Sequence, residues 1–129
     1  MASVTFTIDE ALVILRANGL VPEGIRDIKA DRDGLLLTVS GGIGVMVRQE
    51  SFAQGVLKLA IVSRSWAFKM ADALGKVDSL IDEAIRDFPF ISRRGKTLAV
   101  DLNDALPDGI KGVQVKNFEL RDGLVKIEF

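Results

Sequence analysis

Acidic and amide side chains crowd the segment DLNDALPDG, and their oxygens are the ligands that calcium prefers. The candidate ligands are Asp101, Asn103, Asp104 and Asp108. A calcium loop of the EF-hand type needs ligands at alternating positions, a central glycine and a distal glutamate between two helices. Two apolar residues stand where the next ligands belong, and the flanks are typical of strands. We therefore favour a polar turn over a metal site.

A second candidate is the glycine-rich stretch GGIG at 41–44, which resembles the beginning of a phosphate-binding loop. The dinucleotide fingerprint needs a third glycine and a helix directly after it. Val47 stands where that glycine belongs, and the residues around it alternate as in a strand. We interpret the stretch as a turn between two strands.

Paired carboxylates occur at 9–10, at 31 and 33, and at 82–83, and such pairs can act as general acid and base. That role needs one member to be desolvated so that its pKa rises, whereas all three pairs fall on predicted surfaces or in a helix's first turn. The chain also has no cysteine, no histidine and no tyrosine, so it lacks the usual thiolate nucleophile and general base. We predict a protein that is not an enzyme and that uses no cofactor and no metal.

The one local basic cluster is RDFPFISRRGK at 86–96, where four cations accompany a single anion. Cations near the end of a helix can simply complement its dipole. Alternatively, Arg93, Arg94 and Lys96 can contact phosphate-bearing lipid headgroups or another anionic surface, as in peripheral membrane contact. Nucleic acid is not an expected partner, because the 17 basic and 18 acidic residues nearly cancel and no recognition motif accompanies the cluster.

The chain of 129 residues is long enough for one domain, 1–129, with a core that buries most of its apolar side chains. Its composition is 48% hydrophobic but only 6% aromatic, so the core is aliphatic. No run approaches the ~20 apolar residues that span a bilayer. The first residues do not resemble a secretory signal. We expect a cytoplasmic protein, or an exported one if a leader has been removed.

The elements that position these residues follow from caps, turns and periodicity. Thr7 and Glu10 have the spacing of a capping box, which predicts a short N-terminal helix ending near Asn18 and Gly19. Hairpins are expected at 25–40, about Asp33-Gly34, and near the end of the chain, about Asp122-Gly123. The predicted order is β-α-β-β-β-β-α-β-β-β, an α+β domain built on an antiparallel sheet.

The second helix is the main structural prediction. Residues 64–88 carry apolar side chains at helical spacing from Trp66 to Phe88, with Pro89 as the stop. Such a helix would be about 37 Å long at 1.5 Å per residue. A domain of this size has an expected radius of gyration of about 14 Å, so the helix would cross the molecule. We therefore expect strands to wrap around or line this one long amphipathic helix.

This pattern resembles the tubular lipid-binding (TULIP) superfamily, in particular its bacterial single-unit members. The matching segments are VTFTIDEALVILRANGL, IRDIKADRDGLLLTVSGG, the helix after LKLAIVS, and LAVDLNDALPDGIKGVQVKNFELRDGLVKIEF. The resemblance implies a curved antiparallel sheet rolled around a long helix, with acyl chains in the seam.

The resemblance also implies a function, the non-catalytic binding of a lipid or another hydrophobic small molecule in an apolar slot between sheet and helix. Each buried methylene of such a ligand gains roughly 0.8 kcal/mol. The residues expected to line the slot are Trp66, Met70, Leu57, Leu59, Val77 and Ile81, with Arg93, Arg94 and Lys96 near a headgroup. The alternative is a structural or interaction module that has a filled core and forms a homo-oligomer through exposed sheet edges or Phe68.

Overall fold

Antiparallel strands dominate the fold. The computed structural model describes residues 2–21, 25–31, 34–39, 43–63, 69–70, 75–105 and 114–129. The strands are β1 (Ser3–Thr7), β2 (Ile25–Asp31), β3 (Gly34–Val39), β4 (Ile43–Ala53), β5 (Val56–Ser63), β6 (Ile91–Arg94), β7 (Thr97–Asp101), β8 (Asn117–Arg121) and β9 (Leu124–Glu128). The helices are α1 (Ile8–Ala17), α2 (Lys76–Ile85) and α3 (Leu102–Ala105).

The strands form two sheets rather than one. The larger sheet has the order β2-β3-β4-β5-β7-β6, and the smaller has the order β1-β9-β8. The smaller sheet joins the two ends of the chain, since β1 pairs with β9 from Ser3 opposite Glu128 to Thr7 opposite Leu124. The prediction of an α+β domain on antiparallel strands is confirmed. The predicted strand order lacked β6, which is the outermost strand of the larger sheet.

Local signals placed the N-terminal helix correctly. The Thr7 side chain accepts a hydrogen bond from the Glu10 backbone N–H at 3.1 Å, and the Glu10 carboxylate accepts one from the Thr7 N–H at 3.0 Å. The hydrogen bond from the Thr7 backbone, and after it one from the Thr7 side chain, hold the pKa of the Glu10 carboxyl below its ordinary value. The helix ends at Ala17, and Gly19 follows with a φ of 67°. The capping box thus forms as its spacing predicted.

The prediction of one long amphipathic helix wrapped by the sheet is wrong. Helix α2 has ten residues and is about 15 Å long at the standard rise. Gly75, directly before it, has a φ of 72°, a left-handed conformation through which a right-handed helix cannot continue. Residues 64–68 and 71–74 lie outside the described part of the chain. No helix within the described ranges is long and apolar enough to cross a membrane.

One face of the larger sheet carries both hydrophobic cores. Helix α2 packs there through Val77, which joins a buried cluster with three strand residues, Val45, Val47 and Ile61. Leu37 of β3 packs against this cluster. Leu35, two residues earlier and therefore on the same face, packs against a second core.

The second core lies between α1 and the smaller sheet. Its buried members are Ile8, Leu12, Leu120 and Val125. The larger sheet is thus covered in two parts, by α2 over one region and by α1 with the smaller sheet over the next. This division replaces the single helix that the sequence pattern predicted.

Candidate interaction surface

The described residues among those predicted to line a lipid slot are divided between the interior of the protein and its surface. Leu59, Val77 and Ile81 belong to the first core, and Leu57 is also buried. Met70 is 48% exposed, and Trp66 lies outside the described residues, as does Phe68. The structure therefore brings together three of the six predicted positions, and their partners are side chains of the protein itself.

The basic cluster forms a hairpin in place of a free loop. Strands β6 and β7 pair around Gly95, and this hairpin lies beside α2. The Arg93 guanidinium donates to both carboxylate oxygens of Asp82, at 2.6 and 2.8 Å. Asp78 lies 3.6 Å from Arg93 and also binds the Lys96 ammonium. Two of the three cations predicted to contact a headgroup thus form ion pairs with α2, while Arg94 is exposed.

These contacts shift the titration of the pair. The hydrogen bond from Arg93 lowers the pKa of the Asp82 carboxyl, and the same bond raises the pKa of the Arg93 guanidinium. The principal consequence is positional, since the bidentate pair fastens α2 to the last strand of the larger sheet. The basic cluster was visible in the sequence. Nothing in the sequence indicated that Asp78 and Asp82 face the hairpin.

The acidic segment that suggested calcium has structural roles. Asp101 accepts hydrogen bonds from the backbone N–H groups of Asn103 and Asp104, at 3.1 and 3.2 Å, and so caps α3. Asn103 accepts one from the Val115 N–H at 2.9 Å. Asp108 lies outside the described residues. The described side chains of this segment therefore organise the approach to the smaller sheet.

The Gln49 amide connects the two sheets. It donates to the Phe118 carbonyl and accepts from the Leu120 N–H, both at 2.7 Å, as a backbone amide of a neighbouring strand would. An open groove of about 570 Å³ lies at this junction. It is lined by Arg48, Gln49, Glu50, Glu119, Leu120 and Arg121. Gln49 thus satisfies backbone groups that β8 would otherwise present at an open edge.

Two outer strands of the larger sheet also carry features that oppose further strand pairing. Strand β2 carries the exposed charges of Arg26, Asp27 and Lys29 and has an irregular register between Ile25 and Asp27. Strand β6 has only four residues, two of which are arginines. Charge, irregularity and shortness are the usual means by which natural sheets keep their edges unpaired.

Strand β1 differs from the other outer strands. Its sequence SVTFT contains no charge and no proline, and its first three residues and Thr7 are exposed. Within the described chain, β1 pairs with β9 alone. Val4 is 38% exposed although it stands opposite Ile127, which packs in the second core. A neutral, regular strand with an open side is a template for pairing with another strand.

Exposed aliphatic side chains continue from β1 onto the helix that follows it. Val13 is 68% exposed, and Ile14 and Leu15 are exposed beside it. Single apolar residues on a surface are ordinary, whereas contiguous exposed apolar area is a feature of interaction sites. The sequence predicted a first strand and a short helix after it without indicating that they form an outer edge.

No family model, no curated protein and no solved structure matches this chain. The resemblance to the tubular lipid-binding superfamily therefore stays a prediction. The candidate surface is defined by the geometry of β1 and α1.

Proposed function

We propose that this chain is a non-catalytic interaction domain that assembles through the open edge of its smaller sheet. The observation that supports this proposal is that β1 is neutral and exposed, whereas the other three outer strands carry charges or have edge groups that are already bonded. Unpaired N–H and C=O groups on such an edge gain hydrogen bonds when another strand is added. The domain would thus act by binding, without a chemical step.

The packing of the first core favours assembly over lipid carriage. Four residues predicted to line a lipid slot are buried or half-buried, and three of these pack in one cluster with strand side chains. A ligand in that region would have to displace side chains that already bury one another. Four of the six large apolar side chains that are exposed in the described part of the chain lie instead on β1 and α1, where another protein surface can cover them.

A charge placed on the β1 edge tests the proposal. We expect Val4→Lys to raise the dissociation constant of the assembly about tenfold or more, a change of about 1.4 kcal/mol, because the edge loses an apolar contact and gains a charge. Sedimentation velocity over a series of protein concentrations measures this. Leu124→Lys is the matched control, because Leu124 is 44% exposed but lies on the central strand β9.

Two results would contradict the proposal. One is a wild-type protein that stays monomeric at all concentrations, and the other is equal weakening by Val4→Lys and Leu124→Lys. Native mass spectrometry of the same samples, with fluorescent fatty-acid and phospholipid probes, reports ligand uptake. A monomer that takes up these probes would favour the lipid-binding prediction over edge assembly.

A further inference from the structure

Resting on the edge assembly proposed above, we infer that the strand bound by β1 is β1 of a second copy of this chain. The two strands would run antiparallel about a two-fold axis that passes between the two Val4 residues. The smaller sheets of both copies would then join into one sheet of six strands, with the order β8-β9-β1-β1-β9-β8.

The direction of the backbone groups in β1 defines which of them are open. The Ala2 carbonyl accepts from the Phe129 N–H and the Ile8 N–H donates to the Gly123 carbonyl, both across to the β9 side. Backbone groups alternate between the two sides of a strand. The backbone N–H and C=O groups of the even-numbered residues of β1 therefore point toward β9. Those of Ser3, Thr5 and Thr7 point outward.

The capping box then selects the register. The outward N–H of Thr7 already donates to the Glu10 carboxylate, so it is not free for a second strand. Ser3 and Thr5 remain, each with one donor and one acceptor on the outer side. Placing Ser3 opposite Thr5 of the second copy forms two hydrogen bonds, and the two-fold axis repeats them. A different register, with Thr5 opposite Thr5 of the second copy, would place Ser3 opposite Thr7, whose N–H already donates to Glu10.

This register also gives Val4 a partner. Val4 of each copy would stand directly opposite the other in a non-hydrogen-bonded pair, in which side chains approach closely. The exposed part of each Val4 side chain would be covered, and no charge in SVTFT opposes the approach.

The two-fold axis is perpendicular to the joined sheet, so both copies of α1 lie on the same face of it. Exposed Val13, Ile14 and Leu15 belong to that helix. A second copy therefore supplies an equivalent apolar surface on the same side. A strand from β2 or β6 would bring charged side chains instead, which is the argument for a self-complementary partner.

Disulfide trapping tests the register directly, because the chain has no cysteine of its own. Val4→Cys, Thr5→Cys and Leu124→Cys are each oxidised mildly as dilute full-length proteins, and covalent dimer is measured on non-reducing gels. In the inferred register Val4 meets its equivalent, whereas the two Thr5 Cα atoms are about 8 Å apart, beyond the reach of a disulfide. We expect about tenfold more covalent dimer from Val4→Cys than from either other variant.

The outcomes separate this inference from the proposed function. Thr5→Cys dimers at least as abundant as Val4→Cys dimers would overturn the register. Absence of any covalent dimer, together with loss of assembly in Val4→Lys, would overturn β1 of the second copy as the bound strand and leave edge assembly standing. If no covalent dimer forms and Val4→Lys does not weaken assembly, both this inference and the proposed function are overturned. Circular dichroism of each variant verifies folding, so a misfolded protein is not scored.

Discussion

The hydrogen bonds of Gln49 give the most direct test of how the two sheets are joined. Its amide bonds the Phe118 carbonyl and the Leu120 N–H, and both contacts are partly buried. Gln49→Ala removes both and leaves one acceptor and one donor of β8 without a protein partner. Leu120 itself is buried, although an open groove runs past this part of the edge.

The magnitude follows from the two lost bonds. A neutral hydrogen bond contributes about 1 kcal/mol net, and an unsatisfied buried group costs about 1–3 kcal/mol. Because the contacts are only partly buried, we take the lower end and expect Gln49→Ala to lower the free energy of unfolding by about 2 kcal/mol. With a urea slope of about 1–3 kcal/mol/M, the midpoint falls by about 1 M.

Urea unfolding followed by circular dichroism measures this change, and amide exchange at Leu120 provides a local measurement. The control is Gln114→Ala, an exposed glutamine, for which we expect a change within about 0.5 kcal/mol. Gln49→Glu separates the two bonds. Its carboxylate still accepts from the Leu120 N–H but cannot donate to the Phe118 carbonyl until acid protonates it, so part of the lost stability should return at low pH.

An unchanged urea midpoint in Gln49→Ala, with unchanged exchange at Leu120, would refute this reasoning. It would mean that pairing with β9 and the packing of Leu120 in the second core suffice to hold β8 in place. Equal loss in Gln49→Ala and Gln114→Ala would point to a general effect of glutamine removal instead.

Two further perturbations probe the larger sheet. Asp82→Asn should destabilise the fold at neutral pH. Because Arg93 lowers the folded-state pKa of Asp82, the stability that the Asp82 carboxylate contributes is present above the ordinary pKa of 3.8 and is lost as pH falls through the lowered pKa. Thermal melts of both proteins should therefore converge in acid, and a constant difference across that range contradicts the ion pair's role. Gly34→Ala should destabilise by about 3 kcal/mol or more, because a Cβ there overlaps the Val47 backbone. Gly44→Ala is its control, since a Cβ at Gly44 meets nothing within 4 Å; equal chemical-denaturation midpoints for the two variants would be the contrary result.

Local chemistry explains which parts of the fold were predictable. The capping box of Thr7 and Glu10 is complete within four residues, so its geometry does not depend on the rest of the chain. The turn at Asp122-Gly123 forms for the same reason, since both residues adopt positive φ angles. The hairpin of β2 and β3 also forms, although Gly34 begins β3 and the two residues before it lie outside the described chain.

The long helix shows where periodicity misleads. Apolar spacing in residues 64–88 is compatible with one continuous helix, but Gly75 takes a left-handed conformation at which α2 begins. Glycine adopts either hand at little cost, so its presence in a helical pattern leaves both outcomes open. Strand β6 was missed because its two arginines look like solvated loop residues until the partners of Arg93 on α2 are known.

By itself, the sequence determined the antiparallel strands, the cap of α1 and the turn residues, because each depends on contacts between near neighbours. Only the tertiary structure decided which strands became outer edges and where Gln49 and Arg93 found their partners. Those contacts join residues that are distant along the chain, and strand order sets them. The same order leaves neutral β1 outermost, and the proposed assembly depends on that position.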